Sequence, residues 1–134
     1  MEKKIEKFLE NNHLLTLATC TEYNPYAANC FYAYDKEHKA LIFASESHTH
    51  HMQDIYKNSK VAGTIALCEK EIIKIQGVQF IGIVESAAAE QKSLYYKRFP
   101  IALGIPSPLW AIHLQWIKMT DNTLGFKTKL IWTR

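Results

Sequence analysis

The stretch from Leu41 to Leu67, LIFASESHTHHMQDIYKNSKVAGTIAL, decides how the rest of the chain is read. Leu41, Ile42, Phe43 and Ala44 form an apolar run of strand length. Ser45, Glu46, Ser47, His48, Thr49, His50 and His51 follow, and Met52, Ile55 and Tyr56 then fall at helical spacing. A second apolar run opens at Val61. Hydroxyl and imidazole side chains therefore gather where a strand ends and a helix begins. The first turn of a helix leaves N–H groups without helical partners and carries the positive end of the dipole. Hydroxyls and protonatable imidazoles beside it make a phosphate site, which points to a phosphorylated small molecule. The same residues have simpler uses. Ser and Thr cap helix starts, and His48-x-His50 has a spacing that could chelate a metal, although Asp35, His38 and His113 stand alone and add no ligand cluster.

Working outward, Ile5, Phe8 and Leu9 give an amphipathic helix over residues 2 to about 12. His13 to Cys20 is β-prone, Tyr23-Asn24-Pro25 is a turn signal, and Tyr26 to Asp35 is a second strand. A polar turn to Lys39 leads into the strand Ala40–Ala44, and Thr49–Lys57 is the short helix. Lys60 to Leu67 is a strand, and Ile72 to Ala88 is a long apolar stretch punctuated by Gly77 and Gly82, glycines that predict a bulge or a close backbone approach. A helix over Ala87 to Arg98 ends before Pro100, and Pro100 to Pro108 is a loop. The strands Leu109–Thr120 and Leu124–Trp132 close the chain around Asp121-Asn122. Six or more strands with short helices in one domain predict a mainly β, closed or half-closed antiparallel barrel of Greek-key type.

Composition sets the outer limits. A chain of 134 residues, 48% hydrophobic and 22% charged, makes one globular domain with a real core. A net charge of +3 with six neutral His and scattered Lys and Arg is too small to imply nucleic acid. No apolar run reaches the ~18 residues that span a membrane, and residues 2–10 have the charge of a solvated helix, not the apolar core of a signal peptide. Cys20, Cys30 and Cys68 are widely spaced within apolar runs and form no CxxC pair. Buried reduced thiols, as in a cytoplasmic protein, are the expectation, with no metal site.

In its order of elements the chain resembles the FMN-binding split barrels related to pyridoxamine 5'-phosphate oxidase, in their small uncharacterised branch with a Trp-rich final hairpin. The resemblance is sharpest at Phe43–Ala62, where Asn58-Ser59-Lys60-Val61 is similar to the family's Asn-Pro-x-Val strand opening. It is also clear at Gly77–Ala88, where Gly77-Val-Gln-Phe-Ile-Gly-Ile-Val-Glu85 is similar to a glycine-punctuated strand whose Gln lies near the flavin. Counted back from Asn58, the resemblance puts Thr49, His50 and His51 on the phosphate turn and Ser45 just before it. His stands there where relatives carry Arg and Lys, and with an ordinary pKa near 6.5 it is only partly charged at neutral pH.

The resemblance further implies FMN as cofactor and a homodimer with the flavin in grooves between subunits. The backbone at Asn29 and Cys30 would meet the ring, although Cys30 and every second neighbour could equally face the core; Gln79 would lie near the ring, with Trp110 and Trp116 flanking it and Trp132 packed in the core. Lys127 and Lys129 alternate on one side of the last strand, either solvated or adding positive charge near the phosphate. No catalytic triad, carboxylate pair or glycine-rich phosphate loop stands out, so redox chemistry would be the flavin's, with a small-molecule substrate and a reduced nicotinamide or other donor. The alternative is a non-catalytic binding or sensing module that uses the same groove for another ligand such as haem, or for none.

Overall fold

Tyr32 is the residue at which the sheet turns back on itself. In this computed structural model, which describes residues 1–125 and 128–134, the helices are α1 (Lys3–Asn11), α2 (His50–Lys57) and α3 (Ala89–Arg98). The strands are β1 (Leu14–Thr21), β2 (Asn24–Phe31), β3 (Ala33–Asp35), β4 (Ala40–Ala44), β5 (Lys60–Ala66), β6 (Gln76–Ser86), β7 (Leu109–Asp121) and β8 (Lys129–Thr133). One antiparallel sheet follows the path β2-β1-β5-β6-β7-β4-β3, and β8 pairs with the free half of β7. β2 and β3 are the two ends of that path, yet only Tyr32 separates them in the chain. Strands lie about 4.8 Å apart, so one residue cannot bridge a flat sheet of this width. The sheet curls until its ends meet, which makes the half-open barrel of the split-barrel fold. Tyr32 is fully buried at the seam, and its hydroxyl donates to the Leu9 carbonyl at 2.8 Å.

Strand alternation sorts the side chains into a core and an outer face. On β5, Val61, Gly63 and Ile65 point in while Lys60, Ala62, Thr64 and Ala66 point out. On β6, Val78, Phe80, Gly82 and Val84 point in. α1 brings Ile5, Phe8 and Leu9 to the end where β1 begins, and α2 brings Met52 and Ile55 to the end where β1 finishes. Buried Glu6 accepts from the Tyr34 hydroxyl at 2.6 Å and from Lys39 Nζ at 2.9 Å. Burial works to raise its pKa, but these bonds and the Lys39 charge together hold it below the usual carboxylate value.

Several expectations need correction. The strand expected over Tyr26–Asp35 starts at Asn24 and breaks at Tyr32, because the barrel closes there. Pro25 is tolerated inside β2 because β2 is an edge strand. Ile72–Lys74 is a 3-10 turn, since β5 has already ended at Ala66 and offers no further ladder, and Ile72 and Ile73 are exposed. β8 starts at Lys129 instead of Leu124, because Asp121 caps a 3-10 turn over Asn122–Leu124 through the Thr123 N–H at 2.9 Å. Of the three thiols only Cys30 is buried. Cys20 alternates outward between inward-facing Thr19 and Thr21, and Cys68 lies beyond the end of β5. Lys127 lies outside the described residues. Among those described, no helix is long and apolar enough to cross a membrane.

The glycine reading holds at Gly82. The β6–β7 register shifts between Ile81 and Gly82, and a Cβ on Gly82 would stand 2.5 Å from Ile112 Cγ2 and 2.9 Å from the His113 carbonyl oxygen. Gly82→Ala should therefore cost about 1–3 kcal/mol through overpacking. Urea denaturation reads this as a lowered midpoint, and an unchanged midpoint would contradict the contact.

Candidate functional site

β4 delivers Ser45 to the barrel end that α2 covers. The Ser45 N–H donates to the Pro108 carbonyl at 3.0 Å, and its carbonyl accepts from Trp110 Nε1 at 3.0 Å, so the residue is pinned on both sides. Its Oγ lies 2.7 Å from His51 Nε2 and 3.2 Å from Thr49 Oγ1, and Thr49 Oγ1 lies 3.3 Å from the same nitrogen. Thr49 is the N-cap of α2 and accepts from the Met52 N–H at 3.3 Å. Two hydroxyls and one imidazole thus converge at the start of a helix, where the N–H groups of His50 and His51 have no helical partner. The approach loop is fixed from outside, with Ser107 Oγ donating to Glu46 Oε1 at 2.9 Å and Gln53 Nε2 to the Ser47 carbonyl at 2.8 Å.

The two histidines differ in setting. Burial, reinforced by neighbouring His50, pushes the His51 pKa below its ordinary value, and Asp54 opposes this more weakly. His51 is therefore harder to protonate than an ordinary imidazole. His50 lies flat on Tyr26, with ring centroids 3.8 Å apart and planes within 4°, and its Nε2 is 3.5 Å from Asp54 Oδ2. Asp54 is buried and accepts from Thr19 Oγ1 at 2.8 Å and Thr21 Oγ1 at 3.2 Å, tying α2 to β1. Tyr56 meets Trp110 edge to face at 5.9 Å. Asp54 had a sequence signal, standing four residues after His50 on one helical face. Tyr26 had none, because its contact depends on how β2 is placed.

A second group sits on the outer face of the sheet. The ladders align Asn29, Thr16, Thr64, Gln79 and Lys118 in one cross-strand row, and Ala27, Ala18, Ala62, Ile81 and Trp116 in the next. Thr16 Oγ1 contacts Asn29 Oδ1 at 2.9 Å. A depression of about 350 Å³ lies between Thr16, Ala18, Ala62, Gln79, Ile81 and Trp116.

The sequence-derived residues therefore divide three ways. Ser45, Thr49, His50, His51 and Trp110 come together at the α2 end. Asn29, Gln79 and Trp116 share the outer face. Cys30 faces the core, where burial pushes its thiol up to about 11, so its side chain does not reach the face that carries Asn29. The β6–β7 ladder pairs Ser86 with Trp110 and Gln79 with Lys118, so about 23 Å of strand separates Gln79 from the Trp110 end of β6, whereas Tyr26, stacked on His50, is three residues from Asn29 on β2.

The family model described as pyridoxamine 5'-phosphate oxidase matches residues 1–120. The chain belongs to that family. A relative named a UPF0306 protein, from Serratia proteamaculans, is 43% identical over 137 residues, covering 99% of this chain and 95% of its own. Among solved structures, a heme binding protein from Mycobacterium smegmatis superposes with a TM-score of 0.81 at 16% identity, over 99% of this chain and 59% of that one. A FAD-binding protein from Mesorhizobium loti superposes with a TM-score of 0.75 at 16% identity, over 87% of this chain and 89% of that one. At such identities the likeness establishes the split-barrel fold. In this family member the hydrogen bonds joining Ser45, Thr49 and His51 involve hydroxyls and imidazole, and among the described residues no Lys or Arg takes part in them.

Two histidines should titrate in opposite directions. His38 is raised by its hydrogen bond to Asp35 and by the charge of that carboxylate, whereas His51 is lowered. NMR titration should place the His51 midpoint below 6.5 and the His38 midpoint above it. Because folded His51 resists a proton that the unfolded chain accepts, its contribution to stability is present above about pH 6.5 and is lost as pH falls. A His51 midpoint above that of His38 would refute the assignment.

Proposed function

We propose that the protein is a homodimeric flavoprotein that binds FMN and serves as a redox protein for a small-molecule substrate. The observation that carries this reading is the convergence of Ser45 Oγ, Thr49 Oγ1 and His51 Nε2 at the first turn of α2. Hydroxyl donors, an imidazole and the free N–H groups of His50 and His51 together fit a phosphate monoester. Aromatic side chains stand close by, with Tyr56 against Trp110 and Tyr26 against His50. FMN would supply the hydride or single-electron chemistry, with electrons from a reduced nicotinamide or another small donor. The residues of the chain hold the phosphate, orient the ring and limit the access of water.

The dimer enters through the separation of the two polar groups. Along β6 one chain holds the phosphate cluster about seven strand residues from Gln79, and a second copy would bring a Gln79–Trp116 surface against that cluster. A two-fold axis crossing the strands of two outer faces sets the α2 end of one copy against the Gln79 region of the other. The Ala27–Ala18–Ala62–Ile81–Trp116 row is uncharged and small at one end, which suits close packing of a second sheet.

Binding a phosphate beside His51 has to reverse the low pKa of that group, because opposite charge favours the imidazolium. FMN affinity should therefore fall between pH 6.5 and 8.5. His51→Ala should cost about 1.5–3 kcal/mol, roughly ten- to a hundredfold in Kd. Flavin fluorescence quenching at fixed ionic strength measures both effects. A flat pH profile together with an unchanged His51→Ala affinity would reject the phosphate assignment. A Soret band in the purified protein, without flavin absorption near ~450 nm, would turn the reading to a haem-binding module.

A further inference from the structure

A cavity of about 370 Å³ lies where α1 rests against the ends of β5, β6 and β7. It stands at the far end of the barrel from the Ser45 cluster. The ladder pairs Gln76 with Asp121 at one end and Ser86 with Trp110 at the other, a separation of about 30 Å along the strand.

Its lining divides by chemistry. Phe8, Leu67 and Met119 provide an apolar wall. Lys4 and Lys7, three residues apart and so on one helical face, provide the charge. The Asn12 amide is engaged with the Phe8 carbonyl at 2.8 Å, whereas the side-chain amides of Asn11 and Gln76 have no hydrogen-bond partner among the described residues.

Behind Gln76, its cross-strand partner Asp121 is almost completely buried. Asp121 Oδ1 accepts from the Thr123 N–H at 2.9 Å and from the Thr123 hydroxyl at 2.5 Å. Its Oδ2 accepts no hydrogen bond among the described residues, and Lys4 Nζ stands 3.8 Å from it. Lys7 makes no ion pair among the described residues. With two ammonium groups and one carboxylate, the local charge is +1. That balance matches a monoanion. A dianion would leave one negative charge uncompensated, and a cation would be repelled.

We propose that this cavity binds an amphipathic monocarboxylate, its carboxylate held by Lys7 and Lys4 with the Asn11 and Gln76 amides as further donors, and its hydrocarbon part against Phe8, Leu67 and Met119. The site is separate from the proposed flavin site and does not depend on it. Charge supplies the selectivity, since a neutral ligand of the same shape gains only the apolar contact.

The test is titration of the full chain with octanoate, methyl octanoate and octylamine, followed by two-dimensional ¹H–¹⁵N NMR. Octanoate should give saturable shifts centred on Lys4, Lys7, Asn11, Leu67 and Gln76, and should bind at least about tenfold more tightly than the ester or the amine. Lys7→Glu should weaken octanoate by at least about tenfold, with flavin quenching and denaturation midpoint unchanged, because Lys7 is exposed and unpaired among the described residues. Absence of saturable shifts, equal binding of ester and acid, or an unaltered octanoate affinity in Lys7→Glu would each overturn the proposal. So would shifts centred on the outer sheet face.

Discussion

The one-residue link at Tyr32 is the constraint on which the rest of the structure depends. It joins the two ends of the sheet path, so every strand between them has to curve around a shared interior. Closure then requires something to fill the two barrel ends. α1 and α2 do this with Ile5, Phe8, Leu9, Met52 and Ile55. The Tyr32 hydroxyl bond to the Leu9 carbonyl ties the seam to the first of these plugs. Glu6 ties that plug to β3 through Tyr34 and to the β3–β4 turn through Lys39. Each end of the barrel thereby gains a helix terminus and polar groups beside an apolar core, which is the setting of both cavities and clusters discussed above.

Curvature also decides which residues can share a ligand. Alternation on β5 and β6 places Thr64, Gln79 and Ile81 outside and Val61, Phe80 and Val84 inside. The proposed phosphate cluster belongs instead to an end of the barrel, where a strand passes into a helix. The proposed flavin site draws on two copies, whereas the proposed α1 site is complete in one. His51, with its lowered pKa, distinguishes this proposed phosphate cluster from one built on fixed cations, and on that proposal the grip on an anion depends on pH.

Much of the fold was legible because local patterns carry it. Apolar runs of strand length marked β4 and β5, helical spacing marked α1 and α2, and the glycines of β6 marked the bulge at Gly82. Ser45, Thr49 and His51 were legible as a cluster because they are close in the chain. What escaped was set by non-local geometry. The break at Tyr32 follows from closure, and no residue type announces it. The outward turn of Cys20 depends on which face of β1 meets the core, and the early end of β5 exposes Cys68. Tyr26 reaches His50 only because the β1–β2 hairpin lies against α2, held by Thr19 and Thr21 on Asp54. Cys30 and Asn29 are adjacent in sequence and therefore point to opposite faces, which agrees with the reading of Cys30 as a core residue and leaves only the backbone there to meet a ligand beside Asn29.

The central claim is that one flavin site is built from two chains, with the phosphate on one and the ring against the other. Complementation in mixed dimers tests it most directly. A His51→Ala chain and a Gln79→Ala/Trp116→Ala chain should each bind FMN weakly alone. Mixed in equal amounts after reversible dissociation, they should regain tight sites on about a quarter of the chains, since an isologous heterodimer restores one intact groove and leaves the other doubly impaired. Recovery of that tight fraction is the result expected. Affinity in the mixture that equals the average of the two separate variants, with no tight sites, would contradict the account.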